Sequence, residues 1–390
     1  MNEVQKHLDS QQNAILTFLQ EIVAIPSFDS NISQVAQRVE LELRKLGFED
    51  VHYAPYGDIV ARLGNGPRLL LYDSHLDTVG VGDLKEWKHG PFSAEIEAGL
   101  MYGRGVVDEK GSTPPMIYGL KTAYDLGTLK DFSAYYFGSI EEWCEGLSAQ
   151  VFVEEEDIHP DFVVIGEPTN LRVVRGHKGR VEFRVTSQGR SAHGASHWLG
   201  ENALYKMLPV LEALPRLDEK LPEHPFMGRG SIVATHIEVT AGSYNVVPDR
   251  CSIVLDRRLT VGETAQQALA QVRELLPGRD FDVQIMNYDR PSYNGYTRNH
   301  EQVFPVWSFE ESQPLIHAAL ETSRSLGLET RSGKWNFSTN GAYWAGVAGI
   351  PCVGFGPGEE EIVHTVDEHI RVDDVLRAAE WYARLPEFIQ

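Results

Sequence analysis

The stretch "SHLDTV", residues 74 to 79, sets His75 and Asp77 at the end of the apolar run "RLLLYD". Other apolar runs end in the same way. "SAYYFGSI" leads into Glu141 and Glu142, "DFVVI" into Glu167, and "IPCVGFGPG" is followed by His364. A fifth stretch, "GRGVVDEKG", carries Asp108 in a glycine-rich loop ahead of the helical pattern "TPPMIYG". A single acidic strand end is an ordinary solvated turn. In an open parallel sheet, however, ligands gather outside the carboxyl ends of the strands. Segments bearing acid or histidine that converge on one rim therefore form the donor set of a metal site. Imidazole and carboxylate without thiolate suit Zn²⁺, with Co²⁺ or Mn²⁺ also compatible.

The elements that must hold these residues follow from the hydropathy pattern. Up to residue 175, continuous apolar runs alternate with helical patterns, which predicts an α/β domain with a mostly parallel sheet covered by helices on both faces. From about residue 176 the texture changes. "GRVEFRVTSQGR" alternates with period two, "NALYKMLPVLEAL" is helical, "SIVATHIEVTAG" and "DRCSIVLDRRL" are candidate paired strands, and "ETAQQALAQVRELL" and "DFDVQIMNYD" add a helix and a strand. The order β, α, β, β, α, β is a split βαβ sandwich. After residue 290 the α/β texture returns, so residues 176–289 are expected to be an α+β insertion into a domain made of residues 1–175 and 290–390.

A chain of 390 residues is long enough for two cores. Its formal net charge of −21 argues against nucleic acid or an anionic membrane surface as partner, because both call for clustered Lys and Arg. The N-terminal stretch reads as an amphipathic helix ending near Pro26 rather than a secretory signal, and no segment has the apolar length of a bilayer span. Cys144, Cys251 and Cys352 are scattered and odd in number, giving neither a disulfide framework nor a metal knot. The expected compartment is the reducing cytoplasm.

Six motifs in order, "SHLDTV", "GRGVVDEKG", "SIEEWCEG", "IGEPT", "GRSAHGA" and "VHTVDEHI", resemble the di-zinc amidohydrolases that include aminoacylases, acetylornithine deacetylase, succinyl-diaminopimelate desuccinylase and glutamate-releasing carboxypeptidases. The pattern is also similar to a subgroup labelled as selenium-metabolism hydrolases, a label from which no substrate follows. The resemblance implies two divalent metals per chain, with Asp108 as the bridge, His75 and Glu167 on one metal, and Glu142 and His364 on the other. It implies Glu141 as general base and the inserted module as lid and dimerisation domain. It further implies that His193 stabilises the oxyanion, reaching the other subunit of a homodimer, and that Arg258 and Asn245 bind substrate. Asp77, two residues from His75 on an extended strand, points to the same side and can accept the imidazole N–H. An arginine fork suits a carboxylate, so a small-molecule substrate with a free carboxylate is expected. Without the resemblance, His193 reads as a loop residue, and Arg257 or Arg258 could equally form a structural ion pair. Asn340 in "NFSTNGAYW" stands where many relatives place an acid or an arginine near the substrate, and Trp143 and Cys144 follow the glutamate pair. These departures bear on substrate identity.

The leading reading is metal-dependent hydrolysis of the amide bond of an N-acyl amino acid or short peptide. A carbamoyl or ureido substrate is the close alternative, because the same metals and base would serve it. A catalytically inactive metal-binding scaffold is the third, disfavoured by the presence of Glu141 and every expected ligand. Nucleotide binding does not fit, since Gly99, Gly103 and Gly105 are misspaced for a dinucleotide fingerprint and Pro357 interrupts "GFGPGEE".

Overall fold

The computed structural model describes residues 3–28, 31–141 and 146–390. Strands β1 (Glu49–Tyr53), β2 (Ile59–Leu63), β3 (Arg68–His75), β4 (Phe132–Ser139), β5 (Phe162–Ile165) and β6 (Val174–His177) belong to the larger sheet. The smaller sheet contains β7 (Gly179–Gln188), β8 (Ser231–Thr240), β9 (Arg250–Leu259), β10 (Phe281–Ile285) and β11 (Val303–Phe304). The chain then rejoins the larger sheet with β12 (Trp307–Ser308), β13 (Gly333–Trp335) and β14 (Cys352–Gly354). The helices are α1 (Glu3–Val23), α2 (Ser33–Lys45), α3 (Thr113–Asp125), α4 (Leu147–Glu156), α5 (Ala203–Asp218), α6 (Ala265–Glu274), α7 (Pro314–Ser325) and α8 (Val372–Phe388).

The larger sheet runs β1-β2-β4-β3-β5-β14-β6-β12, with β13 also beside β6. The four strands β4, β3, β5 and β14 at its centre are parallel, and the pairings at its two margins are largely antiparallel. β3 is central, and its run Leu69–Tyr72 is continuously apolar because both of its faces are covered. Leu70 and Tyr72 pack into the core beneath α1, α3, α7 and α8, and the intervening Leu71 packs on the opposite face with Phe137, Phe152 and Trp344. The antiparallel margin follows from chain length. A short turn at residues 54–58, closed by Ala54 N–H on the Asp58 carbonyl at 2.8 Å, leaves no room for the crossover that parallel strands need.

The smaller sheet has the order β8-β9-β7-β10, all antiparallel, and α5 and α6 enclose a separate core on one of its faces. The sequence order β7, α5, β8, β9, α6, β10 is the βαββαβ pattern expected from the sequence. On β7, buried residues alternate with Arg180, Glu182 and Arg184, and in the β7–β9 register Arg180 faces Arg258 while Glu182 faces Asp256. The face away from the helices is therefore charged. β11 pairs with β7 after the chain has left β10, so residues beyond 289 also contribute to this sheet. No helix among the described residues is long and apolar enough to cross a membrane. Cys251 and Cys352 are buried and unpaired, and Cys144 lies outside the described residues.

Candidate metal centre

His75 closes β3, Glu167 follows β5 by two residues, and Asp108 lies in the loop before α3, so three separate connections meet at the carboxyl edge of the parallel strands. Their candidate ligand atoms lie within 4.8 Å of one another. His75 Nε2 is 2.9 Å from Asp108 Oδ1 and 3.8 Å from Glu167 Oε1. The other ring nitrogen, Nδ1, lies 3.0 Å from the backbone oxygen of Asp77 and 3.5 Å from its carboxylate, so the main chain is the nearer acceptor. With Nδ1 turned to the Asp77 carbonyl, Nε2 is the ring atom that faces the two carboxylates, where a cation between them would be held. Burial opposes charge on His75, but Glu109, Asp77 and Asp108 outweigh it and hold its pKa well above the ordinary imidazole value.

Asp108 joins the two histidines. Its Oδ1 faces His75, and its Oδ2 is 2.8 Å from His364 Nε2. Burial alone would raise its pKa, but the two imidazoles hold the carboxyl below its usual range. The loop that presents it is tied at several points. Glu368 accepts from Val107 N–H at 2.9 Å and Asp108 N–H at 3.3 Å, and its other oxygen takes Arg104 Nη1 at 2.6 Å. Arg104 Nη2 in turn donates to the His364 carbonyl at 3.3 Å. Lys110, its amine pushed down to about 7 by burial, donates to the carbonyls of Ile22 and Ile25 at 3.0 and 2.7 Å, anchoring the loop to the end of α1. Gly105 has φ of +79°, and a Cβ there would stand 2.3 Å from Thr78 Cγ2, so the tight approach of this loop to the His75 connection needs glycine.

A cavity of about 720 Å³ opens on this cluster. His75, Asp77, Asp108, Glu167 and His364 line it together with Arg180 and Arg258 of the smaller sheet, Arg290, Phe304 and Phe337. Arg258 lines the cavity while paired with Asp256 at 2.7 and 3.0 Å. Its neighbour Arg257 is the structural one, fully buried on Glu263 and on Gln271 at 3.2 Å.

The other residues singled out from the sequence lie elsewhere. Glu141 is fully buried, does not line the cavity, and accepts hydrogen bonds from Tyr56 and Tyr288. His193 and Asn245 are exposed together on the smaller unit. His193 Nδ1 accepts from Ala195 N–H at 3.1 Å, and the Asn245 carbonyl accepts from Gly194 N–H at 2.7 Å. Neither lines the cavity of its own chain. Asn340, expected near the substrate, is instead buried beneath the site, where its amide donates to Ser139 Oγ at 2.9 Å and to Asp73 at 3.3 Å. Asp73 also accepts from Trp344 Nε1 at 2.7 Å, and burial pushes its carboxyl up to about 6 despite these donors. A neutral amide is what such a buried carboxylate needs as neighbour, so the residue type follows from support of the sheet end. Glu142 lies outside the described residues.

Sequence reasoning missed Glu368, Glu109, Arg180 and Arg290. Glu109 is buried beside Asp108 and accepts the His75 N–H, and burial pushes its pKa well up. Its signal was present in "VVDEKG", as that of Glu368 was in "VHTVDEHI", but each reads as a solvated acid until its partner is known.

The model for peptidase family M20/M25/M40 matches residues 71–387. The Escherichia coli K12 protein YgeY, itself uncharacterised, is 38% identical over 373 residues, covering 95% of this chain and 93% of that one. A succinyl-diaminopimelate desuccinylase of Magnetococcus marinus is 28% identical over 364 residues, covering 88% and 90%. Among solved structures, an M20 family metallo-carboxypeptidase of Sulfolobus solfataricus superposes with a TM-score of 0.77 at 17% identity, covering 100% of this chain and 99% of that one. With its acid and histidine residues gathered at the strand ends, this chain belongs to peptidase family M20/M25/M40 and is a hydrolase of amide or peptide C–N bonds.

Proposed function

We propose that the protein hydrolyses the amide bond of an N-acyl amino acid or short peptide at a pair of divalent metals. The observation that carries this reading is Asp108, whose two oxygens face two histidines from distant parts of the chain, with Glu167 completing one side. A carboxylate so placed lowers the repulsion between two cations a few ångströms apart. The nitrogen and oxygen donors fit Zn²⁺, with Co²⁺ or Mn²⁺ as substitutes. In this assignment His75 and Glu167 would hold one metal and His364 and Glu142 the other, with Asp108 serving both. When bound, the metals would supply Lewis acidity, polarising the scissile carbonyl and making water a stronger acid.

The side chains of the protein do the rest. Glu141 takes a proton from the attacking water and delivers it to the leaving amine. Asp77 and its carbonyl hold the His75 ring in one tautomer. Arg258, supported by Arg180 and Arg290 in the same cavity, receives a substrate carboxylate. His193 donates to the oxygen on which negative charge develops, a contribution of roughly a hundredfold to a thousandfold in rate.

Because His193 does not line its own cavity, it acts on the other subunit of a homodimer, with residues 176–289 as lid and dimerisation unit. An apolar surface on the smaller unit supports this. Val233, Ile237 and Val239 on the edge strand β8 are exposed, as are Trp198, Leu199, Tyr205 and Tyr244. A long exposed apolar edge strand is an aggregation hazard unless covered.

A panel of N-acetyl, N-succinyl and N-carbamoyl amino acids and dipeptides, assayed for released amine with and without chelator, tests the proposal. Chelator-sensitive cleavage of acyl or peptide substrates supports it. Cleavage of only the carbamoyl class, or metal binding without any cleavage, refutes it.

A further inference from the structure

The wall that the smaller sheet gives to the cavity comes from β7 and β9, whose register sets like charges side by side. Arg180 lies opposite Arg258, and Glu182 opposite Asp256. Residues two apart on a strand share a face, so all four side chains stand on the charged face, away from the helices. They form two rows. The guanidiniums line the cavity, and the carboxylates behind them do not. Like charges directly opposite one another destabilise a sheet. Ion pairs that served stability alone would set each arginine across from an acid.

Asp256 relieves the conflict. Its Oδ1 accepts from Arg258 Nε at 2.7 Å, and its Oδ2 accepts from Arg258 Nη2 at 3.0 Å and from Arg180 Nε at 3.0 Å. One carboxylate thus holds both guanidiniums, Arg258 bidentately, while Glu182 takes Arg180 Nη2. Arg180 is also steadied by an aromatic ring. Its guanidinium carbon is 6.0 Å from the ring centre of Phe304, which faces Arg180 in the pairing of β11 with β7 and itself lines the cavity. A guanidinium offers N–H donors on more than one edge. Asp256 engages Arg258 through its Nε edge and leaves the Nη1 end outside the pair, so it orients this arginine without exhausting its capacity for a second carboxylate.

We infer that Asp256 is the positioning residue of a paired-arginine receptor, holding Arg258 and Arg180 side by side so that one substrate carboxylate is received between them. The inference rests on the reading that Arg258 binds the substrate carboxylate. Long side chains ordered in advance lose less freedom on binding, so the receptor gains affinity by preorganisation. Removing the Asp256 charge has two opposed effects. It leaves the wall more positive, which draws in an anion, but it also leaves neighbouring guanidiniums to repel one another without an anchor. The attraction is screened by salt, whereas bidentate geometry is lost outright, so the loss of order prevails.

The test is Asp256→Asn in the metal-loaded protein, assayed on the panel substrate that the parent cleaves fastest and on its C-terminal carboxamide, which differs only in lacking the charge. KM for the acid should rise about tenfold at constant kcat, and KM for the carboxamide should stay within about twofold of the parent value. An unchanged KM for the acid overturns the inference. So does a fall in that KM, which would mean that Asp256 competes with substrate for Arg258. Equal losses on both substrates also overturn it, since they would mark a merely structural role. Arg180→Met carries the same expectation should Asp256→Asn not fold. Arg258→Met separates the two claims: a parent-like KM for the acid in that variant removes the reading on which the inference rests, whereas a raised KM there beside an unchanged one in Asp256→Asn removes the inference alone.

Discussion

Replacing Glu368 with glutamine preserves the shape of the side chain and removes its charge. The carboxylate is fully buried, with one oxygen on Arg104 and the other on the N–H groups of Val107 and Asp108. Arg104 is itself only 3% exposed. Burial pushes the Glu368 carboxyl above its ordinary value even beside this guanidinium, so the intact pair contributes little net stability. Removing one partner is another matter. A glutamine must aim its NH₂ either at Arg104 or at two backbone donors, which leaves a buried charge or a buried N–H unmatched. Breaking a buried pair costs about 3–5 kcal/mol, and the surviving amide oxygen recovers about 1, so a loss of roughly 2–4 kcal/mol is expected. The same change frees Arg104, which holds the His364 carbonyl, and slackens the loop that carries Asp108. Support residues of this kind are typically worth about tenfold to a hundredfold in metal affinity. Urea unfolding of the metal-free protein and a competitive Zn²⁺ titration measure the two effects. Parent-like values in both would refute the assignment of Glu368 as the anchor of the Asp108 loop.

Asn340→Ala should lower stability by about 1–2 kcal/mol, through loss of its bonds to Asp73 and Ser139, while leaving KM unchanged. A tenfold rise in KM at parent stability would return it to the substrate site. His177 is wholly buried, and burial pushes its imidazole pKa down to about 3. It stays neutral in the fold, whereas the unfolded chain takes up a proton near pH 6.5, so its contribution is complete above that pH. It is lost as the pH falls toward 3, by up to about 1.4 kcal/mol per pH unit. His177→Gln should flatten this part of the pH dependence of the urea midpoint, and parallel profiles would disprove it. Mixing inactive His193→Ala with inactive Glu141→Ala should restore about a quarter of parent activity, because half of the random dimers are mixed and each has one complete site. No recovery after demonstrated subunit exchange would exclude action across the dimer.

The strand-end rule was enough to group His75, Asp108, Glu167 and His364, because each follows an apolar run or a glycine turn whose direction the sequence implies. The βαββαβ order was legible for a similar reason: buried residues on β7 alternate with period two and the helices between strands are amphipathic. What escaped the sequence depends on distant partners. Glu368 meets Arg104 across 264 residues and Glu141 meets Tyr288 across 147, and no local pattern pairs them. The separate roles of Arg257 and Arg258 follow from strand register, which turns one toward the helices and the other toward the cavity. Asn340 was misplaced because its position along the chain suggested proximity to substrate, whereas buried Asp73 is the group it serves.

Metal content tests the central claim most directly. Protein purified without chelator and examined by mass spectrometry should hold about two divalent ions per chain, and Asp108→Ala should hold fewer than about one, because the shared carboxylate is gone. Failure of the parent protein to take up Zn²⁺, Co²⁺ or Mn²⁺, or an unchanged stoichiometry in Asp108→Ala, would contradict the account.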